Sequence, residues 1–330
     1  MALLEFDDVS VTYRSRGADV PAVRGVTLSV DAGETLGIAG ESGCGKTTLT
    51  STVLRLQPKS ARVTGEVRLD GKDVQKLSWG KVRALRWAKA SMVFQGAMHA
   101  LNPVQRIGDQ LAEPILLHGR GRVSRSAAAA RVGELLEMVG LPARRARAYP
   151  HQLSGGQKQR VMIAMALACE PALIVADEPT TALDVMVQAQ VLDVLSALVR
   201  DLGVGMVFIS HDLSVLSSTC DRIAVMYAGK VVEEGPAGSV FDEPRHPYAG
   251  ALAGAFPRIG DTRYRYAPAG LPGDPPFPGD LPEGCTFHPR CPVAVDACRT
   301  TEPPLVERDG RRTACLVANG QAAPSQEVPA

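Results

Sequence analysis

The chain has 330 residues, 45% of them hydrophobic and 22% charged, with a formal net charge of +1. That length allows one large domain with an extension, or two modest domains. The near-zero charge excludes a general electrostatic drive toward nucleic acid or acidic lipid. No signal peptide is predicted, because Glu5, Asp7 and Asp8 stand where a basic start would be needed. The apolar stretch Val161 to Ala176 is interrupted by Glu170 and falls short of the roughly 20 residues a membrane span requires. The chain is therefore expected in the cytoplasm, meeting a membrane only through partners.

Residues 3–12 alternate apolar and polar (Leu4, Phe6, Val9, Val11), the pattern of a half-buried strand, and Val23–Val30 and Glu66–Leu69 read similarly. Thr35–Ala39 is a short apolar strand running into the glycine-rich turn Gly40–Gly45, after which a helix is predicted from Lys46. Further apolar runs at Ser91–Phe94, Leu173–Ala176, Met206–Ile209 and Ile223–Met226 predict buried strands alternating with helices, an α/β domain. Between Gln95 and Leu153 helical patterns such as Ala127–Val139 dominate, which predicts a small helical subdomain. Pro257 to Pro282 is rich in proline and glycine and is expected to hold neither helix nor central strand. No motif is repeated, so a single nucleotide-binding unit is expected.

Gly40-Glu41-Ser42-Gly43-Cys44-Gly45-Lys46-Thr47 matches the phosphate-binding P-loop pattern in its strand–turn–helix setting. Glycines let backbone N–H groups wrap phosphate oxygens, and the helix start favours an anion. Lys46 is placed for the β- and γ-phosphates and the Thr47 hydroxyl for Mg²⁺. Downstream, the apolar run Leu173–Ala176 ends in Asp177 and Glu178, the first placed for the Mg²⁺ shell and the second to polarise an attacking water.

Leu153-Ser154-Gly155-Gly156-Gln157 resembles the signature of the ABC ATPases and sits just before the acidic strand, as in that family. The resemblance spans about residues 3–257. It implies an α/β, ABC-type P-loop nucleotide-binding domain with an inserted helical subdomain at about 96–168. It implies ATP and Mg²⁺ contacts from Gly40, Ser42, Gly43, Cys44, Gly45, Lys46, Thr47 and Thr48, with Thr47, Gln95 and Asp177 at the Mg²⁺. Tyr13 matches the aromatic residue that stacks on adenine, and Gln95 the glutamine that senses Mg²⁺ and couples to membrane subunits. Thr181–Asp184 resembles the D-loop, with Asp184 near nucleotide. His211 resembles the switch histidine, so Glu178, His211 and Gln95 are the implied catalytic residues. Ser154, Gly155, Gly156 and Gln157 are implied to bind the ATP held by a partner ATPase. Ribosome- and DNA-acting relatives fit poorly, since the first carry two units and the second a long coiled coil.

A narrower resemblance, to the ATPase subunits of dipeptide and oligopeptide importers, rests on Phe94–Val104, Asp184–Gln190 and His246–Leu252. The sequence departs from that subgroup at Gly96-Ala97, where an Asp-Pro pair is common. The subgroup implies peptide import as the function, with nickel or another small solute as the alternative cargo. It implies a second ATPase, usually a different chain, two membrane permease subunits and an extracytoplasmic peptide-binding protein, at the cytoplasmic face of a bacterial membrane. Domain limits are expected at 1–245 for the cassette and 246–330 for a C-terminal metal-binding extension.

Of seven cysteines, Cys44, Cys169 and Cys220 are scattered, with Cys169 expected on an apolar helix. Cys285, Cys291, Cys298 and Cys315 cluster, with gaps of five and six residues before the longer one. In a reducing compartment such a cluster points to metal. The gaps are wider than the usual zinc pairs and suit an iron–sulfur cluster without excluding zinc. The subgroup implies a [4Fe-4S] cluster on these four; His288 is either an alternative ligand or a neighbour. The basic run Arg144-Arg145-Ala146-Arg147 reads as a solvated face or a contact to a membrane subunit or lipid headgroups.

Overall fold

The computed structural model describes residues 2–15, 18–94, 96, 100–119, 121, 123–181, 183–255 and 271–322. The short apolar runs become strands of one sheet because each is apolar on both faces. β7 (Leu173–Asp177) shows why: Leu173 and Val175 join one core while Ile174 and Ala176 join the other. A strand covered on both sides reads as a continuous apolar run, which is how parallel strands are built. With β3 (Thr35–Ala39), β6 (Ala90–Val93), β8 (Gly205–Ser210) and β9 (Arg222–Tyr227) it forms a parallel core in the order β9-β3-β8-β7-β6.

The alternating segments do something different. β1 (Leu4–Ser15), β2 (Ala18–Val30), β4 (Ala61–Leu69) and β5 (Lys72–Asp73) form a separate antiparallel sheet in the order β2-β1-β4-β5. Its inward residues Leu4, Phe6, Val26, Leu28, Val67 and Leu69 pack on Leu36, Ile38, Val207 and Ala224 of the parallel sheet. The other face of the parallel sheet carries helices, chiefly α5 (Gly155–Ala166), α6 (Val185–Leu202) and α7 (Leu213–Thr219). The helical stretch holds α3 (Ile107–His118) and α4 (Arg125–Met138), whose Ile107, Leu111, Ile115, Val132, Leu135 and Leu136 fill that same core. Helices α1 (Lys46–Ser51) and α2 (Trp79–Leu85) precede them. Cys169 lies beyond the end of α5, half-buried with its thiol 3.2 Å from the Pro114 carbonyl; the apolar run behind it is helix up to Ala166 and strand from Leu173.

The C-terminal residues extend the main sheet. β10 (Lys230–Pro236) pairs antiparallel with β9, β12 (Arg311–Thr313) with β10, and β11 (Val306–Arg308) with β12. These edge strands are charged, so apolar periodicity does not mark them. Glu233 is fully buried, and its carboxylate accepts the backbone N–H groups of Arg245 (3.0 Å) and His246 (2.8 Å) and an ion pair from Arg311. Glu234 beside it pairs with Arg222 and Arg312. Between these strands lie α8 (Ala237–Asp242) and α9 (Pro247–Ala255). His246 is buried, which holds its imidazole down to about 4, so it sits neutral against Phe287. Residues 271–282 carry no helix or strand, as the proline and glycine content requires, while 256–270 lie outside the described residues.

Because Arg311 and Glu233 are both almost fully desolvated, removing one leaves the other as a buried unpaired charge. Arg311→Met is expected to destabilise the protein by roughly 3–5 kcal/mol, read from the urea unfolding midpoint.

Candidate functional site

The phosphate-loop turn leaves β3 at Ala39 and enters α1 at Lys46. Gly40 (φ 148°) and Gly45 (φ 105°) take conformations that L side chains rarely adopt. Sterics demand the same: a Cβ on Gly45 would stand 2.3 Å from the Ala22 carbonyl oxygen, and one on Gly40 2.3 Å from that of Met226. Both sheets therefore clamp the turn. Ser42 and Gly43 are left on its exposed side, and Cys44 is buried, its thiol pushed up by burial. Lys46 is 5% exposed, and its ammonium donates to the carbonyls of Gly40 (2.7 Å) and Glu41 (2.9 Å).

Thr47 donates its hydroxyl to Asp177 Oδ1 at 3.0 Å, tying the turn to the end of β7 across 130 residues of sequence. Asp177 is 2% exposed; burial raises its carboxyl above the usual range, with the Thr47 hydrogen bond acting against that. Tyr13 donates to Thr48 Oγ1 at 3.3 Å, so these two expected nucleotide contacts stand together. Glu178 follows Asp177 with a φ of 43°, its N–H bonded to the Ile209 carbonyl. Its carboxylate accepts the Thr181 hydroxyl at 2.9 Å and lies 3.8 Å from His211 Nδ1. Both line a cavity of about 200 Å³ with Gln188, Ser210 and Asp212. Gln95 lies outside the described residues, as does Ala182 of the D-loop.

Ser154 caps α5. Its hydroxyl accepts the Gln157 N–H (3.3 Å) while Gln157 Oε1 accepts the Ser154 N–H (3.2 Å), a reciprocal capping box. Gly155 opens the helix and Gly156 lets α6 approach: a Cβ there would stand 2.3 Å from Val187 Cγ1. Asp184 caps α6 through the Val187 N–H at 3.0 Å. The hydrogen bonds of Ser154–Gln157 thus stay within their own turn.

The four clustered cysteines do converge. Cys285, Cys291, Cys298 and Cys315 line one cavity with His246 and His288, and Cys285 and Cys291 pair their backbones with neighbours in that wall. As they stand, the thiols form no assembled metal shell. Among the described residues, no three His, Cys, Asp or Glu side chains are grouped so that they could hold a metal ion. The shared cavity measures about 10 Å³, the room of about one water. Burial pushes the Cys285 thiol up to about 11 and raises that of Cys291. His288 Nδ1 is 2.9 Å from the Cys285 carbonyl oxygen, beside the thiols.

Two residues that sequence reading did not single out also reach the turn. The Tyr248 hydroxyl oxygen accepts the Glu41 backbone N–H at 2.8 Å, and Arg290 pairs with the Glu41 carboxylate. Neither belongs to a phosphate-site pattern; Tyr248 lies in the His246–Leu252 segment that carries the importer resemblance, but nothing local ties it or Arg290 to the turn.

The class these features define is the ATP-binding cassette of the ABC type. The profile of the ABC transporter family matches residues 23–181, and that of the oligopeptide/dipeptide transporter C-terminal region matches 232–298. The chain is 43% identical to the oligopeptide transport ATP-binding protein OppD of Escherichia coli over 96% of its length and 93% of that protein's. It is 44% identical to the E. coli dipeptide transport ATP-binding protein DppD, covering 96% of each. An OppD of Mycobacterium tuberculosis is 45% identical over 95% of this chain, which spans only 52% of that relative. Among solved structures, the dimeric cassette MJ0796 matches with a TM-score of 0.64 at 32% identity, over 71% of this chain and 98% of that one. The chain belongs to the ATP-binding subunit family of oligopeptide and dipeptide ABC transporters.

Gly45→Ala forces a Cβ onto the Ala22 carbonyl and a strained φ onto the turn. Strain of this kind costs about 1–3 kcal/mol, so ATP affinity is expected to fall about tenfold or more by calorimetry, with the far-ultraviolet circular dichroism unchanged.

Proposed function

We propose that this chain hydrolyses ATP to drive peptide import through a membrane ABC transporter. The observation that carries this reading is the joint placement of Thr47 on Asp177 and of Glu178 beside His211, at the end of a buried strand next to the phosphate-loop turn. Lys46 and the loop N–H groups hold the β- and γ-phosphates, Tyr13 faces the adenine, and Thr47 and Asp177 supply oxygen donors suited to Mg²⁺. Bound there, the ion neutralises charge on the phosphates. Glu178 orients a water and accepts its proton as the water oxygen bonds the γ-phosphorus and the bridge to the β-phosphate breaks. His211 would contact the γ-phosphate, and Gln95 would supply a further oxygen donor to the Mg²⁺. MJ0796, similar to this chain, is described both as a dimer and in a post-hydrolysis state with ADP and phosphate. The corresponding reading here places Ser154, Gly155, Gly156 and Gln157, with Asp184, against nucleotide on a second ATPase.

Peptides are favoured over nickel or another solute because the relatives named above are peptide transport proteins. The remaining partners are two permease subunits and a peptide-binding protein outside the membrane. Among the described residues no helix is long and apolar enough to cross a membrane, which suits peripheral attachment at its cytoplasmic face. We assign residues 1–245 to the cassette, with the helical part at about 96–168, and 246–330 to the extension. The four thiols remain a donor set of the right chemistry for [4Fe-4S] or zinc, although their packing leaves no preformed shell.

Glu178→Gln keeps the side-chain shape and loses the charge that acts on water. It is expected to bind ATP with near-native affinity while steady-state hydrolysis by the assembled transporter falls by at least a hundredfold. Hydrolysis near the wild-type rate would remove Glu178 from this role. Anaerobically purified chain is expected to carry iron and sulfide, and Cys291→Ser to lose both while keeping ATP binding. Zinc without sulfide would assign a zinc site instead, and absence of metal would leave the cysteines as packing residues.

A further inference from the structure

The turn that must hold a polyphosphate carries a carboxylate, Glu41, within it. A negative side chain there works against the anion the turn binds, unless a cation cancels it. Arg290 supplies that cation from 249 residues away: its Nη1 and Nη2 donate to the two Glu41 carboxylate oxygens at 2.7 and 2.9 Å. This fork-on-carboxylate geometry is the strong form of such a pair.

We propose that Arg290 is a positioning residue for the phosphate-binding turn, fixing Glu41 and neutralising it so that the turn can accept ATP. The inference rests on the nucleotide-site reading above and adds to it a contribution from the C-terminal region.

Arg290 is itself held in place. Its side chain is 6% exposed, its Nε donates to the Pro272 carbonyl at 2.9 Å, and its guanidinium lies 5.9 Å from the centre of the Tyr227 ring. Glu41 is gripped at three points: carboxylate to Arg290, N–H to the Tyr248 hydroxyl at 2.8 Å, and carbonyl to the Lys46 ammonium at 2.9 Å. Thus the group that fixes Glu41 also fixes one of the carbonyls that Lys46 touches. Beneath them, Tyr227 and Tyr248 pack with ring centres 4.6 Å apart, and Phe287 meets both edge-on at 5.2 and 5.4 Å. None of these contacts reaches toward Glu178 or His211, so the effect falls on nucleotide binding, not on the hydrolytic step.

The test is ATP binding by the full-length chain, measured by calorimetry for Arg290→Gln, Glu41→Gln and the double variant. Arg290→Gln strands a negative charge in the turn and should raise the ATP Kd by roughly tenfold. Glu41→Gln removes the repulsive charge and should leave Kd within about threefold, and the double variant should return close to that value, because the offending carboxylate is gone. In the assembled transporter, Arg290→Gln should raise KM and leave kcat within about threefold. Equal losses in all three variants would mean that Arg290 is only a packing residue and would overturn the proposal, as would an unchanged Kd in Arg290→Gln. If Arg290→Gln does not fold, Arg290→Lys keeps the charge and loses the fork: Kd near wild type, or a loss that Glu41→Gln relieves in that background, supports the proposal, and a roughly tenfold loss that Glu41→Gln does not relieve overturns it. Lys46→Ala run in parallel separates the two readings. Unaltered affinity in Lys46→Ala would sink the nucleotide site itself, whereas its loss beside an unaffected Arg290→Gln would sink only Arg290.

Discussion

The conformation of one six-residue turn constrains everything around it. Between Ala39 and Lys46 the backbone must pass through glycine-only conformations at Gly40 and Gly45 while two carbonyls face a buried ammonium. Such a turn has little stability of its own, since glycine gains nothing from side-chain packing and loses much backbone freedom on ordering. It persists because both sheets press on it, the antiparallel sheet through Ala22 at Gly45 and the parallel sheet through Met226 at Gly40. The separate N-terminal sheet is thereby a structural part of this turn, on which the proposed nucleotide site rests, not an appendage to it.

Strand register does the rest. β3 runs parallel between β8 and β9, with Ala39 level with Ser210 and Val225, and β7 lies beyond β8 with Asp177 level with Ile209. The carboxyl ends of three parallel strands therefore finish side by side, where open α/β sheets place ligands. Asp177 reaches Thr47, and Glu178 and His211, each one residue past a strand or just beyond it, line a common cavity. The left-handed φ of Glu178 turns the chain sharply out of β7 at that point. In a glutamate this conformation is strained, and such strain is found where surrounding structure fixes a functional side chain.

What the sequence made legible follows from how local each signal is. The parallel strands, the phosphate-loop turn, the acids after β7 and the helical character of 107–138 are written in contiguous residues. Alternation in 3–12 announced a half-buried strand, but alternation cannot say which sheet a strand joins, so the separate antiparallel sheet was not visible. β12 escaped notice because it is held by charge: Arg311 and Arg312 pair with Glu233 and Glu234 of β10, and the residues read individually as surface polar groups. The Arg290–Glu41 pair joins segments so far apart that no periodicity reports it. The convergence of the four cysteines was legible from their clustering, while the tightness of their packing, which closes off a preformed metal shell, depends on side-chain placement that spacing does not encode.

The C-terminal segment shows why its contacts cannot be independent of the phosphate site. Its own apolar cluster amounts to Val295, Cys298 and Leu316 with a few partly buried neighbours. A core so small does not sustain a fold of its own. The segment gains its stability by packing Phe287 on Tyr227 and Tyr248 and by adding β12 to the sheet at β10. Tyr227 and Tyr248 are also the residues that seat Arg290 and hold the Glu41 N–H. The same aromatic side chains thus serve two ends, one toward the tail and one toward the turn. Close-packed side chains transmit displacement because they have no free volume to absorb it. A change that loosens Phe287 must therefore shift the ring against which Arg290 rests, and through it the carboxylate inside the phosphate loop.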